Sequence, residues 1–340
     1  MSNGAAPSDG EFELIRRYFT SQSVHHAATL LGIGDDCALL RCVDGSGLAI
    51  TTDTMVAGVH FLPEVDPRDL GHKILAVNLS DLAAVGALPT WVTLCLTLPA
   101  AEPSWLEGFS AGFFALAQRY GVELIGGDTT RGPLSITVQA MGLIPAHQAL
   151  RRSGAGVGDL IFVTGRLGSA GLGLKILTGE ACFIDSEPVA RLLRPEPRVA
   201  VGQALVGNAT ACIDVSDGFA ADLGHILAAS GAGAAIEWER LPLSLAVRQY
   251  VAETGDWRLP LVAGDDYELC FTLPERRLPD LEASSRDWDC SVHQVGVIEE
   301  QQGLRIRREG RLQDLPLSGY DHFNKGQQCA PKSRLPSTNS

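Results

Sequence analysis

The sequence predicts an α/β (α+β) protein of two domains, on three observations. Apolar, β-branched runs alternate with segments of helical spacing in both halves of the chain. A polar, glycine-rich stretch, "RRSGAGVGD", interrupts that alternation at 151–159. The length, 340 residues, suits one large or two medium domains. These place an N-terminal domain over 11–147 and a C-terminal α/β domain over 148–323. The polar segments 1–10 and 324–340 are predicted to be disordered tails.

In chain order, "EFELIRRYFT" has the spacing of a helix, and "GLAITTDTM" reads as a strand ending at Asp53. Residues 66–87 form a long helix, with an Asp-Pro start and a glycine near the end. "TWVTLCLTLP" is a strand. The next helix runs from near Pro103 to Gly121. "VELIGGD" and "PLSITVQAMGLIP" are further strands. In the second half, "DLIFVTG", "ATACIDVSDG", "GAAIEWE" and "YELCFTLP" read as strands. They alternate with helices at "SAGLGLKILTG", at 189–207 broken by Pro195 and Pro197, and at "FAADLGHILAAS".

Hydrophobic residues make up 45% of the chain, ample for a sizeable core, and the net charge is −13. So acidic a chain offers no basic face to neutralise phosphates, which argues against nucleic acid as a partner. The eight cysteines show neither CxxC nor zinc-like spacing, and several, such as Cys95 and Cys270, sit in apolar runs. They read as buried free thiols of a reducing compartment. No secretory signal core and no membrane-length apolar stretch is present, so a soluble cytoplasmic protein is predicted.

The chemistry-bearing pattern is repeated Asp in a Gly/Thr/Ser setting beside apolar runs: "GIGDDCALL", "AITTDTM", "LIGGDTTRG", "CIDVSDGF" and "VAGDDYELCF". Asp81 in "NLSDLAAVGA" is a helical sixth case. Any one of them alone reads as a turn. Together they outnumber the cations at hand, chiefly Arg131, Arg151, Arg152 and Lys73. Carboxylates among apolar neighbours need partners. With threonine and serine hydroxyls nearby and no Cys/His cluster, the donor set is all oxygen, which fits Mg²⁺ shared with substrate phosphates and disfavours zinc. The glycines of "GRLGSAGLGLK" lack Walker and Rossmann spacing and read as helix–sheet packing. His60, alone among apolar neighbours, reads first as a structural histidine.

These motifs, with "TTDTMVAGVHF", "DLGHI" and the terminal "GYDHF", resemble the thiamine-monophosphate kinase family of the aminoimidazole ribonucleotide synthetase superfamily, in order from about residue 11 to 323. The resemblance implies transfer of the γ-phosphoryl group of ATP to thiamine monophosphate, with several Mg²⁺ ions. It implies two α/β domains, with N-terminal mixed sheets closing a barrel across the two-fold axis of a homodimer. Carried over by motif, the metal positions are Asp36, Thr51, Thr52, Asp53, Asp81, Asp128, Asp214 and Asp217. The ATP positions are Gly127, Asp128, Arg152 and Ser216, and the substrate positions are His60, Asp265 and Leu317. Asp265 stands where the family usually has Glu, and Leu317 where an aromatic often stands. No covalent nucleophile is expected. The alternatives are another ATP-dependent synthetase of the superfamily, or a non-catalytic divalent-cation binder.

Overall fold

The computed structural model describes residues 11–34, 37–41 and 43–314. The expectations for Asp35, Asp36, Leu317 and the two tails lie outside the described residues. The first half runs α1 (Glu11–Phe19), β1 (Thr29–Leu31), β2 (Leu39–Leu40), β3 (Ser46–Val56), α2 (Pro67–Ala84), β4 (Leu88–Leu98), α3 (Pro103–Tyr120), β5 (Glu123–Arg131) and β6 (Ser135–Pro145). β3, β6, β4 and β5 form a four-stranded mixed sheet in that order, with only β4 and β5 parallel. Helix α2 starts where the sequence signals it. Asp66 accepts the Arg68 N–H at 2.8 Å and Pro67 occupies the first turn. It ends at Ala84, short of the predicted 87. Helices α2 and α3 cover one sheet face and cross closely, since a Cβ on Gly112 would lie 1.9 Å from the Arg68 carbonyl oxygen.

The second half comprises β7 (Leu160–Thr164), α4 (Ser169–Leu177), α5 (Glu187–Leu193), α6 (Val199–Leu205), β8 (Ala211–Asp214), α7 (Phe219–Ser230), β9 (Gly233–Glu237), α8 (Leu245–Thr254), α9 (Leu259–Val262), β10 (Leu269–Leu273), α10 (Leu278–Ser284), β11 (Val292–Glu299), β12 (Gly303–Arg308) and β13 (Arg311–Gln313). Its sheet order is β13-β12-β9-β11-β7-β10-β8, antiparallel except for β12 beside β9. Both faces are buried. Ile213, Cys270 and Val295 pack with Phe219, Leu223 and Val247 on one side. Phe162, Cys212 and Phe271 join the core of α2 and α6 on the other. A continuous apolar layer therefore joins the two sheets through α2, whose contacts reach β3, β6, α3, α6 and β8.

Several expectations are corrected. β3 runs on through Val56, because Thr54, Met55 and Val56 keep pairing with β6, so Asp53 lies inside the strand. β5 likewise carries Asp128 mid-strand. Cys95 and Cys37 are exposed and Leu39 is 53% exposed, since the sheet face away from α2 is only partly covered. Among the described cysteines, only Cys212 and Cys270 fit the reading of fully buried thiols. The glycines after β7 pack as expected: a Cβ on Gly171 would meet that of Ala263 at 2.3 Å, and one on Gly173 the Pro188 oxygen at 2.2 Å.

Where α6 meets α2, a Cβ on Gly202 would sit 2.0 Å from the Ala83 carbonyl oxygen, so the two helices touch backbone to backbone. Gly202→Ala should cost about 1–3 kcal/mol in denaturant unfolding, as overpacking does. Gly224→Ala on α7, where nothing lies within 4 Å, should be neutral or stabilising by about 0.5–1 kcal/mol. Equal midpoints for the two variants would contradict the close contact.

Candidate active site

The acidic motifs converge where α2 lies between the two sheets. Side chains alternate along β3, so Thr51 and Asp53, paired with the buried Ala140 and Val138, share the face turned toward α2. The Thr51 hydroxyl donates to the Asp81 carboxylate. One residue earlier on α2, the buried Ser80 hydroxyl donates to Asp214 at 2.8 Å, and Asp214 is the last residue of β8. Three carboxylates from three elements thus share one region. Burial first, and then the Asp81 charge, push Asp53 up from its ordinary 3.8 to about 7. Burial, followed by the charge of Asp81, pushes Asp214 up to about 8. Asp81 is raised too, again chiefly by burial, while the Thr51 hydrogen bond and the Arg152 charge act the other way.

Two loops close the site from the second sheet. Asp222, in the first turn of α7, accepts the N–H groups of Ser216 at 3.0 Å and Asp217 at 3.1 Å, which shapes "VSDG". The "GDDYE" loop docks on it: the Asp265 N–H donates to the Ser216 carbonyl at 2.9 Å and the Tyr267 N–H to that of Val215 at 2.8 Å. A Cβ on Gly264 would sit 2.3 Å from the Ser216 oxygen, so only glycine permits this approach. Asp265 and Tyr267 have φ of 68° and 48°, left-handed conformations that cost a side-chain-bearing residue about 1–2 kcal/mol each. The Asp265 carboxylate receives the Lys73 ammonium at 3.3 Å and the Tyr267 hydroxyl at 3.0 Å. Glu268 anchors the next strand through a buried bidentate pair with Arg198, both bonds 2.6 Å.

Of the expected set, Thr51, Asp53, Asp81 and Asp214 come together, with Arg152 in electrostatic reach of Asp81. Ser216, Asp217 and Asp265 border them on the loops. Thr52 points to the opposite sheet face, where Gln139 donates to it at 3.4 Å. Asp128 stands beside Cys95 on that same opposite face, and its charge contributes to raising the Cys95 thiol, after burial. Gly127 stands opposite Leu94 on β4, so close that a Cβ would lie 1.8 Å from the Leu94 oxygen. His60 lies in the turn after β3, its Nδ1 accepting the Val56 N–H at 2.9 Å. As they stand, no three His, Cys, Asp or Glu side chains among the described residues are grouped closely enough to hold a metal ion. Ser80, Asp222 and Tyr267 were not singled out from the sequence. An acid four residues after Gly218 at a helix start was a usable signal for Asp222, and a lysine in the apolar helix run "GHKILAV" was one for Lys73.

With this geometry established, known proteins can be set beside it. Residues 34–144 match the model of the AIR synthase related protein N-terminal domain, and 156–309 that of the corresponding C-terminal domain. The thiamine-monophosphate kinase of Salmonella typhimurium is 48% identical over 92% of this chain and 98% of its own length. The crystal structure of thiamine-monophosphate kinase from Stenotrophomonas maltophilia K279a superposes with a TM-score of 0.78 at 45% identity, covering 84% of this chain and 92% of that one. A structure described as AaThiL complexed with AMPPCP and TMP gives a TM-score of 0.73 at 32% identity, covering 83% and 89%.

The raised Asp53 carboxyl generates a test. A folded-state value near 7 against an ordinary 3.8 means that its contribution to stability is full below about pH 4 and is lost as pH rises through 7. In chelator-treated protein, Asp53→Asn should remove that loss and be more stable than wild type at pH 7.5 by on the order of 1–2 kcal/mol, less than full linkage because water reaches the site. The two should converge near pH 4. A variant less stable than wild type at pH 7.5 would show that Asp53 is already neutralised inside the chain.

Proposed function

The chain belongs to the thiamine-monophosphate kinase family, within the AIR synthase related proteins, and from that premise we infer that it transfers the γ-phosphoryl group of ATP to thiamine monophosphate, giving thiamine diphosphate. The observation that carries the reading is the convergence of Asp53, Asp81 and Asp214 with, among the described residues, the Arg152 guanidinium as the one cation acting on Asp81. A site that must accept two polyanions yet is itself built of anions has its charge balanced by cations that come with the substrate. The buried, all-oxygen, under-neutralised donor set fits Mg²⁺. Asp53, Asp81 and Asp214, with the Thr51 hydroxyl and Asp217, would hold the ions; of the rest of the expected set, Thr52 and Asp128 stand on the opposite sheet face, away from this group, and Asp36 lies outside the described residues. When bound, Mg²⁺ supplies charge neutralisation at the transferring phosphoryl group.

The chain's own residues do the rest. Arg152, Ser216, Gly127 and Asp128 are the proposed ATP contacts, and His60, Asp265 and Leu317 the acceptor contacts. The glycine-only packing of Gly127 against Leu94 leaves its backbone as the surface offered to a ligand. The acceptor is a phosphate oxygen already ionised near neutral pH, so no general base is required. Transfer is direct and in line: the acceptor oxygen bonds to the γ-phosphorus as the bond to the β-phosphate oxygen breaks, and ADP leaves. The proposal includes the domain division 11–147 and 148–323, supported by two sheets that share no ladder. It also includes a homodimer whose N-terminal sheets close a barrel. The sheet face opposite α2 supports this, with Leu48 and Ile50 more than half exposed. A cytoplasmic setting is supported by the unpaired state of every cysteine among the described residues.

Asp81→Asn should reduce turnover of thiamine monophosphate by at least about a hundredfold, the scale of losing a group that stabilises transition-state charge, while the protein stays folded. Near-normal turnover at millimolar-scale Mg²⁺, the range for weakly held ions, would sink the metal assignment. Incubation with γ-labelled ATP alone should leave the protein unlabelled, whereas stable, chemically competent labelling would refute direct transfer. Sedimentation should give a dimer, and a fully active monomer at micromolar concentration would overturn the barrel.

A further inference from the structure

Lys73 lies on α2 among Ile74, Leu75 and Ala76, each with no exposed surface, and its own side chain is 4% exposed. An ammonium there is costly unless paired, and its described partner is the Asp265 carboxylate at 3.3 Å. Buried ion pairs are seldom kept for stability, because apolar replacements of similar volume are often as stable or more so. This pair also joins the two halves of the chain: Lys73 comes from the helix that carries Ser80 and Asp81, and Asp265 from the strained loop before β10. The loop's backbone is fixed by its bonds to Ser216 and Val215, and Tyr267 fixes the second carboxylate oxygen. Each oxygen thus holds one internal donor and keeps acceptor capacity for another. The carboxylate is one-third exposed, so a ligand can reach it.

We propose that Lys73 is a positioning residue for the acceptor substrate: its buried ammonium fixes the Asp265 carboxylate two helical turns along α2 from the carboxylate cluster. Lys73 and Ser80 are seven residues apart and so share a helix face, separated by about 10.5 Å of helix rise. The charges of Asp53 and Asp214 also reach Tyr267, whose hydroxyl Asp265 accepts, so one acceptor can span both with its phosphate directed to the cluster and a cationic or hydrogen-bond-donating heterocycle directed to Asp265. Because α2 is packed on almost every side, Lys73 sets that spacing rigidly. The inference rests on the proposed role of Asp265 as an acceptor contact.

Steady-state kinetics with each substrate varied separately tests it on Lys73→Met, Lys73→Arg, Asp265→Asn and the paired variants. Lys73→Met should raise the KM for thiamine monophosphate about tenfold to a hundredfold, the scale of a charge-assisted hydrogen bond, and leave that for ATP within about twofold. Lys73→Arg should recover most of the loss, and Lys73→Met should add nothing once Asp265 is Asn. Equal loss toward both substrates, an unchanged KM, or full additivity with Asp265→Asn overturns the proposal. Should Lys73→Met not fold, Lys73→Gln, which keeps a donor but not the charge, takes its place: its shift in the KM for thiamine monophosphate must vanish in the Asp265→Asn background, and an unchanged KM or an equal non-zero shift in both backgrounds overturns the proposal. Wild-type protein with no turnover of thiamine monophosphate overturns the kinase reading and this inference with it. Wild-type turnover with a silent Lys73→Met overturns the inference alone.

Discussion

Everything in the site depends on α2 being a helix packed on nearly all sides that nevertheless carries charge. Its apolar residues face the four-stranded sheet, α3 and α6, so polar side chains on it survive only where another element presents a complement. Lys73 meets Asp265, and Ser80 meets Asp214. Asp81 meets Thr51 and the charge of Arg152, and its own charge acts on Asp53 and Asp214. The helix therefore fixes one loop and two strands relative to one another, and the backbone-to-backbone contact at Gly202 holds α6 against it.

The second constraint is the mutual support of "VSDG" and "GDDYE". Neither loop has regular structure, and each is held by groups that the other or a helix start supplies. Asp222 turns its carboxylate back onto the amides of Ser216 and Asp217. Asp266 does the same for Gly168 and Ala170 at the start of α4, at 2.6 and 3.2 Å. Carboxylates at helix N-termini are favourable by charge alone. Here they also absorb backbone N–H groups that would otherwise be orphaned in the interior. This over-determined backbone is what allows Asp265 and Tyr267 to persist at positive φ.

Much of the fold was legible because its signals are local. Asp66-Pro67 marks the start of α2, and the β-branched run through Ile50–Thr54 marks β3. A shared divalent cation followed from counting carboxylates against cations, and the grouping of Asp53, Asp81 and Asp214 from the family resemblance. The position of Asp128 could not be read this way. Simple alternation from the buried Leu124 places Asp128 on the face toward α2. A bulge at Ile125, between the pairs Val92–Leu124 and Thr93–Gly126, resets the alternation and turns Asp128 to the other face, beside Cys95. One inserted residue leaves no mark in composition. The strands over 292–313 went unassigned for another reason. β12 lies near the sheet edge, where Arg305 and Arg307 alternate with Leu304 and Ile306, and edge strands carry charges that mask an apolar pattern.

The chain could have neutralised its central carboxylates with lysine or arginine, and elsewhere it does so: Glu268 is matched by Arg198 in two short bonds deep in the core. Glu268 also accepts the Thr164 hydroxyl at 2.6 Å, so its charge is matched within the chain. At Asp53, Asp81 and Asp214 no such pair forms among the described residues, and their carboxylate oxygens keep acceptor capacity. Incomplete neutralisation lowers the stability of the unliganded protein, as the raised Asp53 and Asp214 carboxyls indicate. Under the proposed function the same repulsion would favour a bound cation, which in turn would screen the phosphates, so free energy withheld from folding would become available to binding. Lys73 marks the border between the two regimes. On one side of it α2 carries Asp81, raised by burial and with no ion pair among the described residues, and on the other Asp69 is paired with Arg194 within the chain.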